Sequence, residues 1–164
     1  MDGGNDRDLI HGGDDDDTVS GGNDADEIYV EADNDTISGG AGDDLIYGGT
    51  DSDTIYGFEK DLLADLLPSG ARDRDTIRGG QGFDRIAGGP DDDLIFGDED
   101  AYILLGNEGA DTIEGNGGID TIYGFHWMTI WSPISGGTDL PNHLFGNQED
   151  DEIYGGPDAD FIRG

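Results

Sequence analysis

The chain of 164 residues contains no cysteine, so it holds no disulfide framework and offers no thiol nucleophile. Positive charge is scarce: 7 Lys plus Arg stand against 40 Asp plus Glu, for a formal net charge of −33. Such a polyanion repels phosphate backbones and anionic lipid. That excludes nucleic acid and acidic membrane surfaces, and leaves cations as the natural partners. Apolar residues make up only 33%, and no apolar run is long enough to span a bilayer. The first residues show no basic-then-apolar leader pattern. An aperiodic chain of this composition would stay disordered, because self-repulsion and chain entropy outweigh so little burial. What is plentiful is glycine, 31 residues, and acid, and both fall on a strict beat.

From Gly3 the chain reads GGNDRDLIH, GGDDDDTVS, GGNDADEIY. The nine-residue frame holds over 3–56, resumes over 70–123 and again over 137–163, fifteen units in all. Two segments of equal length interrupt it, GFEKDLLADLLPS (57–69) and GFHWMTIWSPISG (124–136). The blocks start at 3, 70 and 137, 67 residues apart each time. The first place is Gly in every unit except at Val30. The sixth is Asp8, Asp17, Asp26, Asp35, Asp44, Asp53, Asp75, Asp84, Asp93, Asp111, Asp120, Asp151 and Asp160, with Tyr102 and Asn142 as departures. The fourth is mostly Asp6, Asp15, Asp24, Asp33, Asp51, Asp73, Asp91, Asp100 and Asp158, or Gly. The eighth is always aliphatic, from Ile10 and Val19 through to Ile153 and Ile162.

The glycine-rich half of each unit tolerates positive φ and lacks bulk, so it reads as a turn. The last three residues, such as Thr-Ile-Tyr, favour strand and alternate out, in, out. Glycine density excludes helix in the blocks. A strand this short buries no face alone, but stacked turns of a solenoid bury each eighth-place residue against its neighbours. The whole chain, 1–164, reads as one such domain.

The unit GGAGDDLIY (39–47) fits the pattern GGxGxDxUx without a mismatch. The chain resembles the RTX (repeats-in-toxin, haemolysin-type) family of calcium-binding nonapeptide repeats. The resemblance implies an all-β, right-handed parallel β-roll, with two nonapeptides per 18-residue turn and two short parallel sheets. It implies multiple Ca2+, on the order of ten, between the glycine-rich loops of adjacent turns. The sixth-place aspartates named above would supply carboxylate ligands and loop carbonyls the rest. The fourth-place aspartates either add a carboxylate or give only their carbonyl. Hard oxygen donors suit calcium independently of the resemblance. Folding is then coupled to binding: disordered without calcium, β-rich at about 0.1–1 mM. By the same resemblance the chain is a non-enzymatic module of an exported, extracellular bacterial protein.

Three units are expected to bind poorly: 30–38, which lacks both glycines; 97–105, with Tyr102; and 137–145, with Leu140 and Asn142. The stretch EKDLLADLL, with Leu62, Leu63, Leu66 and Leu67 on one face before Pro68, reads as a short helix. The second interruption carries Trp127, Met128, Ile130 and Trp131, a cover for the roll or a stacking site. Thirteen residues could be a nonapeptide plus four, in which case the two sheets exchange roles after each interruption, or a pure outward loop, in which case they do not. An alternative function is an adhesin-like module that binds polysaccharide or ice. It would use Trp127 and Trp131, or outward rows such as Thr18, Thr36 and Thr54 beside Ser20 and Ser38, or His11, Tyr29 and Tyr47. A second alternative is an accessory fragment of a secreted enzyme. Catalysis within the chain has little support: His11, His126 and His143 sit in unrelated settings, and neither HExxH nor GxSxG occurs. Open strand edges at both ends invite end-to-end association or flanking domains.

Overall fold

The computed structural model describes residues 1–58, 73–100, 102–124, 141–148, 151–156 and 159–164. Among the described residues there are strands and turns and no helix. One eight-stranded parallel sheet runs β1 (Asp2–Gly4), β3 (Thr18–Asn23), β5 (Thr36–Ala41), β7 (Thr54–Phe58), β9 (Arg85–Gly89), β11 (Ile103–Asn107), β13 (Thr121–Tyr123) and β15 (Glu152–Tyr154). The other runs β2 (Leu9–Gly13), β4 (Glu27–Glu31), β6 (Leu45–Thr50), β8 (Thr76–Gln81), β10 (Leu94–Glu99), β12 (Thr112–Asn116), β14 (His143–Asn147) and β16 (Phe161–Arg163). Successive strands alternate between the sheets, so two nonapeptides make one coil of a β-solenoid.

The eighth-place residues form one file per sheet. Val19, Ile37, Ile55, Ile86, Leu104, Ile122 and Ile153 pair in turn across the first sheet. Ile10, Ile28, Ile46, Ile77, Ile95, Ile113, Leu144 and Ile162 do so across the second. The files merge into one core, fully enclosed in the middle coils and open at the end, where Ile162 is 48% exposed. Each buried member contributes about 1.5–3 kcal/mol. Val30, in the place of a first-place glycine, and Tyr102, in the place of a sixth-place aspartate, also join this core.

Same-sheet partners lie 18 residues apart except at Ile46↔Ile77, Ile55↔Ile86, Ile113↔Leu144 and Ile122↔Ile153, where the step is 31, one coil plus thirteen residues. The extra length therefore adds no coil, and the sheets do not exchange roles. Both interruptions fall between a strand of the first sheet and one of the second, β7 to β8 and β13 to β14, so both fall on the same edge. Their roots are three coils apart, about 14 Å at the usual strand spacing. Gly57 and Phe58 continue β7, and Phe58 pairs with Gly40, so this Gly-Phe fills the first and second places of its coil. The expected helix, the Trp127–Trp131 cluster, Leu140 and Asp158 lie outside the described residues.

The loops need left-handed backbone at two places. At the second, Gly40 has φ 120, and a Cβ there would stand 2.1 Å from the Gly22 carbonyl oxygen. At the fourth, Gly42 has φ 133, while Asp6, Asp15, Asp24, Asp33, Asp51, Asp91 and Asp100 have φ between 69 and 84. Asp enters this region more readily than other side chains with a Cβ, which explains why the fourth place alternates between Gly and Asp.

The outward rows stand as the 18-residue spacing predicts. Thr18, Thr36 and Thr54 align, and the row then meets Arg85, so no long flat threonine array forms. His11, Tyr29 and Tyr47 stack at 5.3 and 4.8 Å with planes within 14°. Tyr29 thus has a ring against each of its faces. The Tyr29 hydroxyl donates to Glu27 at 2.6 Å, which raises the phenol pKa to about 12.

Candidate metal centres along the two edges

The turns between strands line two edges, and each edge carries a column of sixth-place residues. On one edge the backbone N–H of each sixth-place residue donates to Oδ1 of the next. Asp8 donates to Asp26 at 2.8 Å, Asp26 to Asp44, Asp44 to Asp75, Asp75 to Asp93, Asp93 to Asp111, Asp111 to Asn142, and Asn142 to Asp160 at 2.9 Å. On the other edge Asp17 donates to Asp35, Asp35 to Asp53, Asp53 to Asp84, Tyr102 to Asp120 and Asp120 to Asp151, at 2.7–3.1 Å. Below Asp8 and Asp17, which head the two columns, one oxygen of each accepting carboxylate is thus committed to the neighbouring coil.

The other oxygen is not. Oδ2 of Asp8, Asp26, Asp35, Asp44, Asp53, Asp75, Asp84, Asp93, Asp120 and Asp151 is buried without a hydrogen-bond partner. Orphaned buried carboxylate oxygens are costly in any fold, and a repeated column of them calls for a cation. A second oxygen faces the same space. A Cβ on first-place Gly21 would stand 2.4 Å from Asp26 Oδ2 and 2.4 Å from the Gly39 carbonyl oxygen. On Gly39 it would meet Asp44 Oδ2 and the Gly57 carbonyl oxygen, again at 2.4 Å. The first-place glycine leaves a cradle of carboxylate and carbonyl oxygen open.

These donors fit a hard divalent cation that takes six to eight oxygens in loose geometry. Among the described residues no three carboxylate or imidazole side chains close on one point, so backbone carbonyls have to supply much of any shell. That contribution is invisible to a search for acidic side chains, and the first-place carbonyl is the donor that sequence reading did not single out.

The fourth-place aspartates divide. Those of Asp24, Asp33, Asp91 and Asp100 accept the backbone N–H of the fourth-place residue one coil earlier at 3.1–3.3 Å, and their side chains are exposed. Asp73 differs: it is buried, its Oδ1 accepts the Gly42 N–H at 2.9 Å, and its Oδ2 has no partner. Unit 30–38, expected to bind calcium poorly, keeps the backbone course of the repeat. Val30 turns into the core, Glu31 takes the left-handed turn at φ 81, and Asp35 bonds to Asp17 like its counterparts.

Without metal the columns resist ionisation. Burial, first, and neighbouring carboxylates raise Asp44, Asp53 and Asp120 to about 7, and Asp73 and Asp84 to about 6, while backbone N–H donors pull the other way. Asp75 and Asp93 are pushed well above the carboxylate range for the same reason. A pKa higher in the folded state than in the unfolded one stabilises the fold below the unfolded value, near 4, and that stability is lost as pH rises through 6–7. Metal-free chain is therefore expected to gain β-sheet circular dichroism when titrated from pH 8 to pH 5. With calcium present the dependence reverses, because the cation displaces those protons and binds better at higher pH. A metal-free β signal that falls on acidification would contradict the burial of these groups.

Parallel coils with glycine bends and two edges of unpaired, inward carboxylate oxygen define a β-solenoid whose edges suit cations. The RTX calcium-binding nonapeptide repeat family model (four copies) matches residues 2–37, 29–57, 69–104, 105–125 and 136–164. The chain belongs to that family, whose repeats bind Ca2+ and form a β-roll. The match is to a calcium-binding repeat rather than to a catalytic domain. No curated protein and no solved structure gave a match. Among the described residues no helix is long and apolar enough to cross a membrane.

Proposed function

We propose that the chain is a calcium-triggered folding module of an exported bacterial protein: an open polyanion where calcium is scarce and a rigid spacer or scaffold where it is abundant. Its ligands are the sixth-place aspartates, Asp8, Asp17, Asp26, Asp35, Asp44, Asp53, Asp75, Asp84, Asp93, Asp111, Asp120, Asp151 and Asp160, with loop carbonyls completing each shell. Among the fourth-place aspartates Asp73 is the one that joins them as a carboxylate ligand. The others, Asp158 being outside the described residues, hold the left-handed turn and tie coil to coil. On the order of ten ions would cancel about two-thirds of the net charge. The observation that carries this reading is the pair of columns of buried Oδ2 atoms without partners.

Calcium bound per chain, measured by atomic emission after gel filtration in millimolar calcium, is expected near ten. The variant Asp93→Asn, which keeps the Oδ1 bond from Asp75 and removes the charge, is expected to lose one or two ions and to need several-fold more calcium for folding. Binding of no more than one or two ions by the unsubstituted chain would overturn the proposal.

A further inference from the structure

We propose that Tyr102 replaces a metal ion, so that its rung closes with a donor of the chain's own and needs no calcium; this rests on reading the other rungs as calcium sites. Tyr102 stands at the sixth place between β10 and β11, on the edge that carries Asp84 and Asp120. Its backbone keeps the repeat: the N–H donates to Asp120 Oδ1 at 3.1 Å and the carbonyl accepts from Thr121 at 3.0 Å. Its side chain is 1% exposed and lies among the core residues.

The ring fills the cradle that other rungs leave open. A Cβ on Gly97 would stand 2.7 Å from ring Cδ2, where every other described first-place glycine with a sixth-place aspartate meets that aspartate's carboxylate. A Cβ on Gly79, one coil earlier, would meet Asp84 Oδ2 at 2.5 Å, the Gly97 carbonyl oxygen at 2.9 Å and Tyr102 Cε1 at 3.2 Å. The ring therefore reaches across two coils. At its tip the hydroxyl donates to the Gly80 carbonyl at 2.7 Å and makes hydrogen-bond contact with the Glu99 carbonyl. An ion between these loops would draw on carbonyls of this kind; here a neutral donor holds them, and one negative charge is gone from the column.

The other sixth-place departure follows the same logic on the opposite edge. Asn142 is completely buried, its Oδ1 accepts the Asp111 N–H at 2.8 Å, and its Nδ2 donates to the Gly124 carbonyl at 2.8 Å. Where aspartate leaves an oxygen wanting a cation, asparagine brings the proton itself. Each edge thus has one rung that is satisfied without metal, in the C-terminal half of the roll.

The test compares bound calcium in the unsubstituted chain, Tyr102→Asp, Tyr102→Phe and Asn142→Asp, prepared side by side in millimolar calcium and read by atomic emission and β-sheet dichroism. Tyr102→Asp and Asn142→Asp are each expected to bind at least one more ion than the unsubstituted chain. Tyr102→Phe, which keeps the ring and loses the donor, is expected to bind the same number and to need more calcium to fold. Asn142→Asp is nearly isosteric and decides the matter if Tyr102→Asp fails to fold. No added ion in a folded aspartate variant would overturn the inference, whereas an unsubstituted chain without calcium would overturn the earlier reading instead.

Discussion

Exhaustive dialysis against a chelator at pH 7.5 is expected to abolish the β-sheet dichroism of this chain, and calcium at about 0.1–1 mM to restore it. Same-place carboxylates of paired coils follow each other at about 4.8 Å. At an effective dielectric near 20, two full charges at that distance repel by ~3.5 kcal/mol. Each coil adds one eighth-place residue to each file, worth about 1.5–3 kcal/mol, and must also order eighteen residues. Protonation relieves the repulsion, but groups raised to about 6–7 are largely ionised at pH 7.5, and the relief is lost. Magnesium at the same concentration is expected to restore less, because it holds its water and demands a tighter octahedron than a loop of carbonyls provides.

A single methyl group on Gly39 is expected to be nearly as damaging within its own neighbourhood. The alanine Cβ would stand 2.4 Å from Asp44 Oδ2 and from the Gly57 carbonyl oxygen, and the latter is fixed by the ladder. Overpacking of this sort costs about 1–3 kcal/mol. It also closes an oxygen cradle, so Gly39→Ala should lose at least one bound calcium and raise the calcium midpoint several-fold. Gly117→Ala is the matched control: its Cβ meets nothing nearer than 3.5 Å, and an effect within about 0.5 kcal/mol is expected. Equal behaviour of the two variants in a calcium titration followed by dichroism would contradict the cradle.

Much of this architecture is legible in the nine-residue beat. The eighth-place file, the sixth-place columns and the outward threonine and tyrosine rows follow from a period of 18 and two strands per coil, and the register bears them out from Ile10 to Ile162. Three features are not legible, each for a physical reason. Thirteen residues fit two coil geometries equally well, and strand pairings such as Ile46↔Ile77 and Ile113↔Leu144 distinguish them. The fourth-place Asp, which could add a carboxylate or give only its carbonyl, does not announce the left-handed turn it bears; Asp73, buried with an unpartnered oxygen, differs from the others. Val30 and Tyr102 read as defects because they break the pattern, yet both side chains are absorbed by the core, where an apolar residue in a glycine or aspartate place gains burial. Asp158 and the tryptophans of the second interruption fall outside the described residues.

The most direct measurement is a calorimetric calcium titration of metal-free chain with β-sheet ellipticity followed on the same samples. Heat and ellipticity are expected to rise together through one midpoint, at a stoichiometry on the order of ten. Ellipticity already at its plateau before the first addition, or unchanged while calcium binds, would show that the coils stand without the ions and would contradict metal-coupled folding.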